Sequence, residues 1–506
     1  MATVKTNGSR TQNARNFIDS FNECDGDASA YMFIGGVTPW ENEDGPPVPD
    51  NSIREYYRVH NEMLSLKRVN DLDVHYMIPH IKWVSGTVYD MYRHDYNLQN
   101  RAHSGASNLY DAIYYVLSQN NYVYVCLNNA VNKPSLVEPQ NISDDPFVTS
   151  DGYQWLKLFK VSSEQQQFYS TTNLIPITDE DVNSKPAGAI FTAIVNEPGT
   201  RYTNNPSGPI ADVPDYYCRV VGDGYGAVAK VKVRGESVDS IEIVRPGEGY
   251  TFGHIDFKAG SVYKGLAQLD AERNPLNPSG EGDFRSTVII SPPTGWGYEP
   301  DDELEVEENN DEARHRLALQ LSSRTVGVFS SFKDPLMDAY PNLDFRQIGI
   351  LHKVKTERGY ENSTSLSAVH SIKVDQIMRG TSFEIGELIE QPVTYTDKVG
   401  QTAVGKVVSW DSENNIIRYI LNNETLNERG NAVLLKGSEK IVGRTSEFTV
   451  KPDTTFSESA EGTQFKSGYA KPEIAKNNGY LTYLTNVTPI RRVPTQTERI
   501  SLTITF

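Results

Sequence analysis

Cysteine is scarce in this chain of 506 residues: there are three, Cys24, Cys126 and Cys218, far apart and forming no CxxC pair. That pattern excludes a disulfide scaffold and a thiolate zinc site, and the thiols are expected to be reduced and buried. No apolar run approaches the ~20 residues that a membrane-spanning helix needs, so no membrane partner is expected. The opening MATVKTNGSRTQNARNF lacks the apolar segment of a secretory signal, and the expectation is a chain that remains in the cytoplasm where it is made. Positive charge is also short, with 48 Lys and Arg against 66 Asp and Glu and a net charge of -18. Such an excess of carboxylates is repelled by phosphates instead of releasing their counterions, so nucleic acid is not an expected partner.

The usual signatures of catalysis are missing as well. There is no GxSxG elbow, no Walker loop and no HExxH pair. Five of the nine histidines, His60, His75, His80, His94 and His103, fall in one stretch, but their spacing matches no metal-ligand pattern and they read as packing or solvent-facing groups. GDGYG at 222–226 looks like a dinucleotide loop, yet a strand pattern follows it instead of the helix whose N-terminus would hold a pyrophosphate; it reads as a turn before a hairpin. The acidic DELEVEENNDEAR at 302–314 lacks the central Gly and spaced Glu of a calcium loop and reads as a solvated linker. Carboxylates are plentiful, but no pair is marked out by its surroundings for glycoside hydrolysis. No catalytic residue, metal ligand or cofactor-binding residue is assigned, and no cofactor is expected.

What the chain does have is strand patterning. Its 38% hydrophobic and 23% charged content is that of a globular protein, at a length suited to roughly three domains. Ala14, Phe17, Ile18 and Phe21 line one face of a short opening helix. Strands are then expected at YMFI, at NYVYVCL (121–127) and at YQWLKLFKV (153–161), where Tyr153, Trp155 and Phe159 should share a face with Lys157. AVAKVKV and SIEIV flank Gly235-Glu236 as a hairpin. FEIGELI, AVGKVVSWD, NIIRYIL and AVLLKG, divided by DSENN and ERGN turns, suggest a small barrel or sandwich between 371 and 450. RISLTITF alternates like a strand with one buried face. The fold class is therefore mainly β and multidomain: a β-sandwich core with inserted small β modules and few short helices. The expected map is an N-terminal β domain at 1–188, an inserted hairpin-rich module at 189–300, a second part of the core at 301–370, an inserted barrel or sandwich at 371–450, and a segment returning to the core sheet at 451–506.

The stretch YMFIGGVTPW raises a further expectation. Phe33-Ile34-Gly35 followed by Pro39-Trp40 and a Pro-rich acidic loop resembles the dimeric wedge subunit, the gene product eight family, of the baseplate in T-even-type contractile-tailed bacteriophages. Further blocks agree in order: Ile78-Pro79 with Trp83, Gly86-Thr87, Tyr89 and Tyr92; Val123 to Leu127; Asp151-Gly152-Tyr153-Gln154-Trp155 with Leu158-Phe159; Phe345-Arg346-Gln347-Ile348; and Tyr483, Asn486, Pro489-Ile490, Thr497 and Phe506 near the end. The chain is longer than the family, and the segments at 190–290 and 371–450 look like insertions. The resemblance implies a non-enzymatic virion protein, assembled in the host cytoplasm, that forms a homodimer in each wedge and holds other wedge proteins while the baseplate changes shape at the host surface. Phe33, Gly35, Pro39, Trp40, Trp83, Tyr153, Trp155, Phe159, Arg346, Gln347, Thr497 and Phe506 form its structural signature, and the Arg346 guanidinium and Gln347 amide are the candidate interface groups. The alternatives are a tail receptor-binding or carbohydrate-binding protein and a tail-associated glycan hydrolase.

Overall fold

Two-residue periodicity and turn chemistry decide most of this architecture. The computed structural model describes residues 7–22, 30–93, 96–177, 188–202, 215–271, 276, 278, 281–291, 324–332, 343–357, 360, 363–395, 398–422, 432–491 and 498–506. Cys24, His94, the acidic 302–314, the ERGN turn at 428–431 and Thr497 lie outside them. The protein is mainly β, with several sheets, a closed six-stranded barrel and four helices among the described residues. None of these helices is long and apolar enough to cross a membrane. The chain divides into two compact units, one of Met1–Arg15, His75–Gly327 and Ile504–Phe506, the other of Asn16–Val74 and Val328–Thr503.

In the first unit an antiparallel sheet runs in the order Tyr115–Leu117, Tyr122–Asn128, Gln154–Lys160, Phe147–Val148. Both of its faces are covered. Val123, Val125 and Leu127 point into one core with Leu156, Leu158 and Phe159, while Tyr124 and Cys126 join Tyr153 and Trp155 in the other. Phe159 thus leaves the face expected for it. Val123 pairs with Phe159 but Tyr124 with Lys157, so Leu158 is an extra residue, a bulge that reverses the alternation beyond it. Lys157 is 3% exposed, and its ammonium reaches Asp144 at 2.8 Å and the Tyr122 ring at 5.6 Å.

The long strands Ala189–Thr200 and Glu281–Ser291 pair with each other and lie between two cores. Phe191 and Ile289 belong to the core of the sheet just described, whereas Ile190, Val288 and Ile290 face the hairpin core. The boundary expected at 188 and 189 is therefore no boundary between cores. The expected hairpin is present as Val228–Arg234 and Ser237–Arg245, and its turn residues Gly235 and Glu236 have φ of 61° and 65°, the two positive values that a type I′ turn requires. GDGYG is the turn ahead of it, packed so closely that a Cβ on Gly224 would lie 2.5 Å from the Glu248 carbonyl oxygen.

The second unit is built on a five-stranded antiparallel sheet in the order Ser365–Ser367, Met63–Val69, Ala30–Gly35, Phe345–His352, Tyr480–Ile490. Ala30–Gly35 and Phe345–His352 are buried along their whole lengths, which explains why neither shows alternation. The barrel follows the cycle Ile416–Leu421, Lys398–Asp411, Leu388–Tyr395, Ile441–Gly443, Thr449–Pro452, His370–Arg379 and back to Ile416–Leu421. It has its own core, including Ile372, Ile389, Val407, Ile417 and Val450. The body continues past the expected limit at 450, because Tyr469–Ala470 pairs with His370–Arg379. AVLLKG is not a strand beyond a bridge at Ala432: Val433 and Leu435 enter the barrel core, and the Lys436 N–H donates to the Gln391 side chain at 2.7 Å in place of a ladder partner.

At the C-terminus, Glu498–Thr505 has the expected alternation, with Ile500 and Leu502 buried and Ser501, Thr503 and Thr505 exposed. Ile504 and Phe506 are half-buried. Tyr480–Ile490 is the strand that joins the five-stranded sheet; Glu498–Thr505 is an edge strand of another sheet.

Candidate functional site

Most of the signature residues gather in two places, one in each unit; Phe159 faces the other core of its sheet, Phe506 follows the edge strand Glu498–Thr505, and Thr497 lies outside the described residues. In the second unit, Ala30–Gly35 ends where Gly36 turns at φ +68°. A Cβ on Gly35 would sit 2.8 Å from the Glu62 carbonyl oxygen, and one on Gly36 would sit 2.6 Å from Gln347 Cγ, so both positions need glycine for close approach. Beyond the turn Pro39 is exposed and Trp40 half-buried, its indole N–H donating to the Val487 carbonyl at 3.1 Å and the Arg58 guanidinium lying 5.1 Å from its ring centre. Phe33 is fully buried in the core beneath.

Arg346 and Gln347 are not at the surface. Arg346 is 6% exposed and donates to both Glu43 carboxylate oxygens, at 3.1 and 2.9 Å, with Asp344 3.8 Å away. Gln347 is 0% exposed and its amide donates to Glu55 at 3.0 Å and Asn486 at 2.9 Å. The Val37 carbonyl accepts from Arg346 and, at 3.0 Å, from Lys406. Buried Glu62 receives the Thr38 hydroxyl at 3.0 Å. These groups lock the 36–48 loop onto Phe345–His352, the strand beside Ala30–Gly35 in their own unit. Arg346 and Gln347, expected to make interdomain or intersubunit hydrogen bonds, find partners within their own unit, since a buried polar group takes the partners within reach.

In the first unit Trp155 is fully buried, stacked on Tyr153 with ring centres 5.5 Å apart and edge-on to Tyr89 at 5.8 Å. The Tyr153 hydroxyl donates to the Lys133 carbonyl at 2.5 Å and accepts from the Tyr89 N–H at 3.3 Å. Trp83 packs against this cluster and donates to the Ser135 hydroxyl at 3.1 Å. Asp151 organises the loops around it, accepting from the N–H groups of Leu136 (2.7 Å) and Val137 (2.9 Å) and from the Thr149 hydroxyl (2.5 Å). Burial alone would raise its pKa, but these donors together hold it below the usual carboxylate value. Gly152 turns at φ +90°. The Asp-Gly-Tyr-x-Trp run is therefore a loop organiser followed by a core anchor.

Sequence reasoning missed one cluster. His60 lies in the last turn of the helix Ile53–Glu62, where the helix dipole favours an imidazolium, yet neither ring nitrogen has a hydrogen-bond partner among the described residues. Lys476 is half-buried, its ammonium turned inward onto the His60 carbonyl. Burial, assisted by Lys476, lowers the His60 pKa to about 4; burial, with Lys476 and Lys471, lowers that of His370 to about 3. Burial also lowers Lys476 to about 7.

All three shifts have the same sign. For the two histidines the unfolded chain binds protons between about 6.5 and 4 that the folded chain refuses, so their contribution is full above that window and is lost on acidification through it, while the Lys476 contribution is lost earlier, as the pH falls from about 10.5 to 7. From pH 7.5 to 5, denaturant unfolding of the second unit is expected to weaken by about 2 kcal/mol for each histidine. His370→Phe, which keeps a ring against Tyr419, should remove about half of that slope. Equal stability at the two pH values would contradict this.

Among the described residues no group of three or more His, Cys, Asp or Glu side chains could hold a metal ion. His75 packs against Tyr169, with ring centres 4.6 Å apart. No protein-family model matches the chain, and no curated protein matches it either.

Proposed function

We propose that the chain is a structural subunit of a bacteriophage tail baseplate wedge, a homodimer that links neighbouring wedge proteins during assembly and during the change of shape at host attachment. One observation carries this reading. Blocks that resemble the wedge family and lie hundreds of residues apart sit side by side in the second unit: Phe33 pairs with Gly349, Gln347 with Asn486 and Ile350 with Tyr483. The resembling residues are thus scaffold, while the barrel is built from a segment that carries no resemblance. Its mechanism is interface exchange, in which rigid β bodies keep their internal locks while contacts between proteins are repacked.

Sedimentation of the purified chain at micromolar concentration should show a dimer, in line with the two-fold symmetry common among homo-oligomers. A monomer alone at that concentration counts against the proposal. The same preparation should turn over neither glycans nor nucleotides. Robust turnover abolished by a single carboxylate substitution would replace this reading with an enzymatic one.

A further inference from the structure

A pocket of about 260 Å³ opens in the second unit where the barrel strands Ile416–Leu421 and His370–Arg379 meet residues 357–367 and 463–473. Arg418, Lys466 and Lys471 line it. In a chain of net charge -18, three cations converge on one small cavity, and none makes an ion pair within the chain among the described residues. Ser371 stands directly opposite Arg418 in the strand ladder. It is 4% exposed and lines the pocket, so the little surface it keeps is available to the cavity. A hydroxyl at the pocket wall can donate to an acceptor bound there.

The remaining walls narrow the chemistry. The Tyr469 ring is fixed, its hydroxyl donating to the Gly437 carbonyl at 2.8 Å and accepting from Gln391 at 3.0 Å, and Tyr360 lines the same cavity. Aromatic rings held in this way suit the C–H faces of a sugar. Glu357 and Glu473 also line the pocket, and one Glu473 oxygen already accepts the Ser367 N–H at 2.6 Å. Two carboxylates repel a dianionic phosphate at short range but accept hydrogen bonds from hydroxyl groups. A neutral sugar leaves the cations unanswered, whereas a carboxylate matches the fork of Arg418.

We infer that this pocket binds a saccharide carrying a carboxylate, with Arg418 and Ser371 on the acid group and the glutamates on its hydroxyls. The inference goes beyond the assembly role and does not depend on it. Loss of the dimer would leave it standing, and loss of sugar binding would leave the baseplate reading standing.

Saturation-transfer NMR on the full chain with glucuronate, glucose and inorganic phosphate tests it. Glucuronate at millimolar concentration should receive saturation and glucose should not. Arg418→Gln should weaken glucuronate binding about tenfold at an unchanged thermal midpoint. Should that variant fail to fold, the exposed Lys471→Gln and the small change Ser371→Ala must each weaken binding. No transfer to glucuronate, equal transfer to glucose, displacement by phosphate at equal strength, or binding indifferent to all the variants would overturn the inference.

Discussion

Trp155→Ala should destabilise the first unit by about 3 kcal/mol or more, at the lower end of the range for removing a large buried aromatic. The side chain is 0% exposed between Tyr153 and Tyr89, so its loss opens a cavity among rings that cannot close over it. Tyr153 is tied to Lys133 and Tyr89, and Asp151 fixes the loop before it, which leaves the walls little freedom to collapse. One effect works the other way: the indole N–H is buried without a partner among the described residues, and deleting it removes that cost of roughly 1 kcal/mol. Trp40→Ala, at a half-buried position, should cost clearly less. Urea unfolding followed by fluorescence measures both, and a Trp155→Ala loss below about 1 kcal/mol would show that this ring is not the anchor.

Gly36→Val should be at least as damaging to the second unit. A β-branched residue at φ +68° carries a backbone cost of about 1–3 kcal/mol, and its Cβ would lie 2.6 Å from Gln347 Cγ. Gln347 cannot move aside freely, because its amide is held by Glu55 and Asn486. Overpacking adds about 1–3 kcal/mol, for a total on the order of 2–6 kcal/mol. Gly36→Ala separates the two causes, since it keeps most of the clash and a smaller backbone cost. Near-native stability of Gly36→Val in chemical denaturation would mean that the turn and the Gln347 lock are not coupled.

The sequence showed the hairpin at 228–245 plainly, because alternation and a Gly-led turn are both local. It showed the existence of the strand at 153–161 but not its faces, since the bulge at Leu158 arises from pairing with 122–128 and leaves no mark in its own residues. AVLLKG was apolar enough for a strand; what it lacked was a ladder partner, and the Gln391 side chain that replaces one lies 45 residues away. Arg346 and Gln347 suggested an interface because a guanidinium fork pairs well with carboxylates or carbonyls. Their partners, Glu43, Glu55 and Asn486, lie between 139 and 303 residues away along the chain, beyond any periodicity. The His60 and Lys476 cluster and the barrel pocket are assembled from distant segments in the same way. Residue types alone could not single them out.

The most direct test of the baseplate proposal is to look for the chain in the tails of contractile-tailed phage particles, by electron cryomicroscopy at a resolution that traces strands. The account predicts the chain in the baseplate as a two-fold pair repeated in every wedge, with the five-stranded sheet and barrel recognisable in each copy. A baseplate without the chain, or the chain found only as single copies at fibre tips, would contradict it.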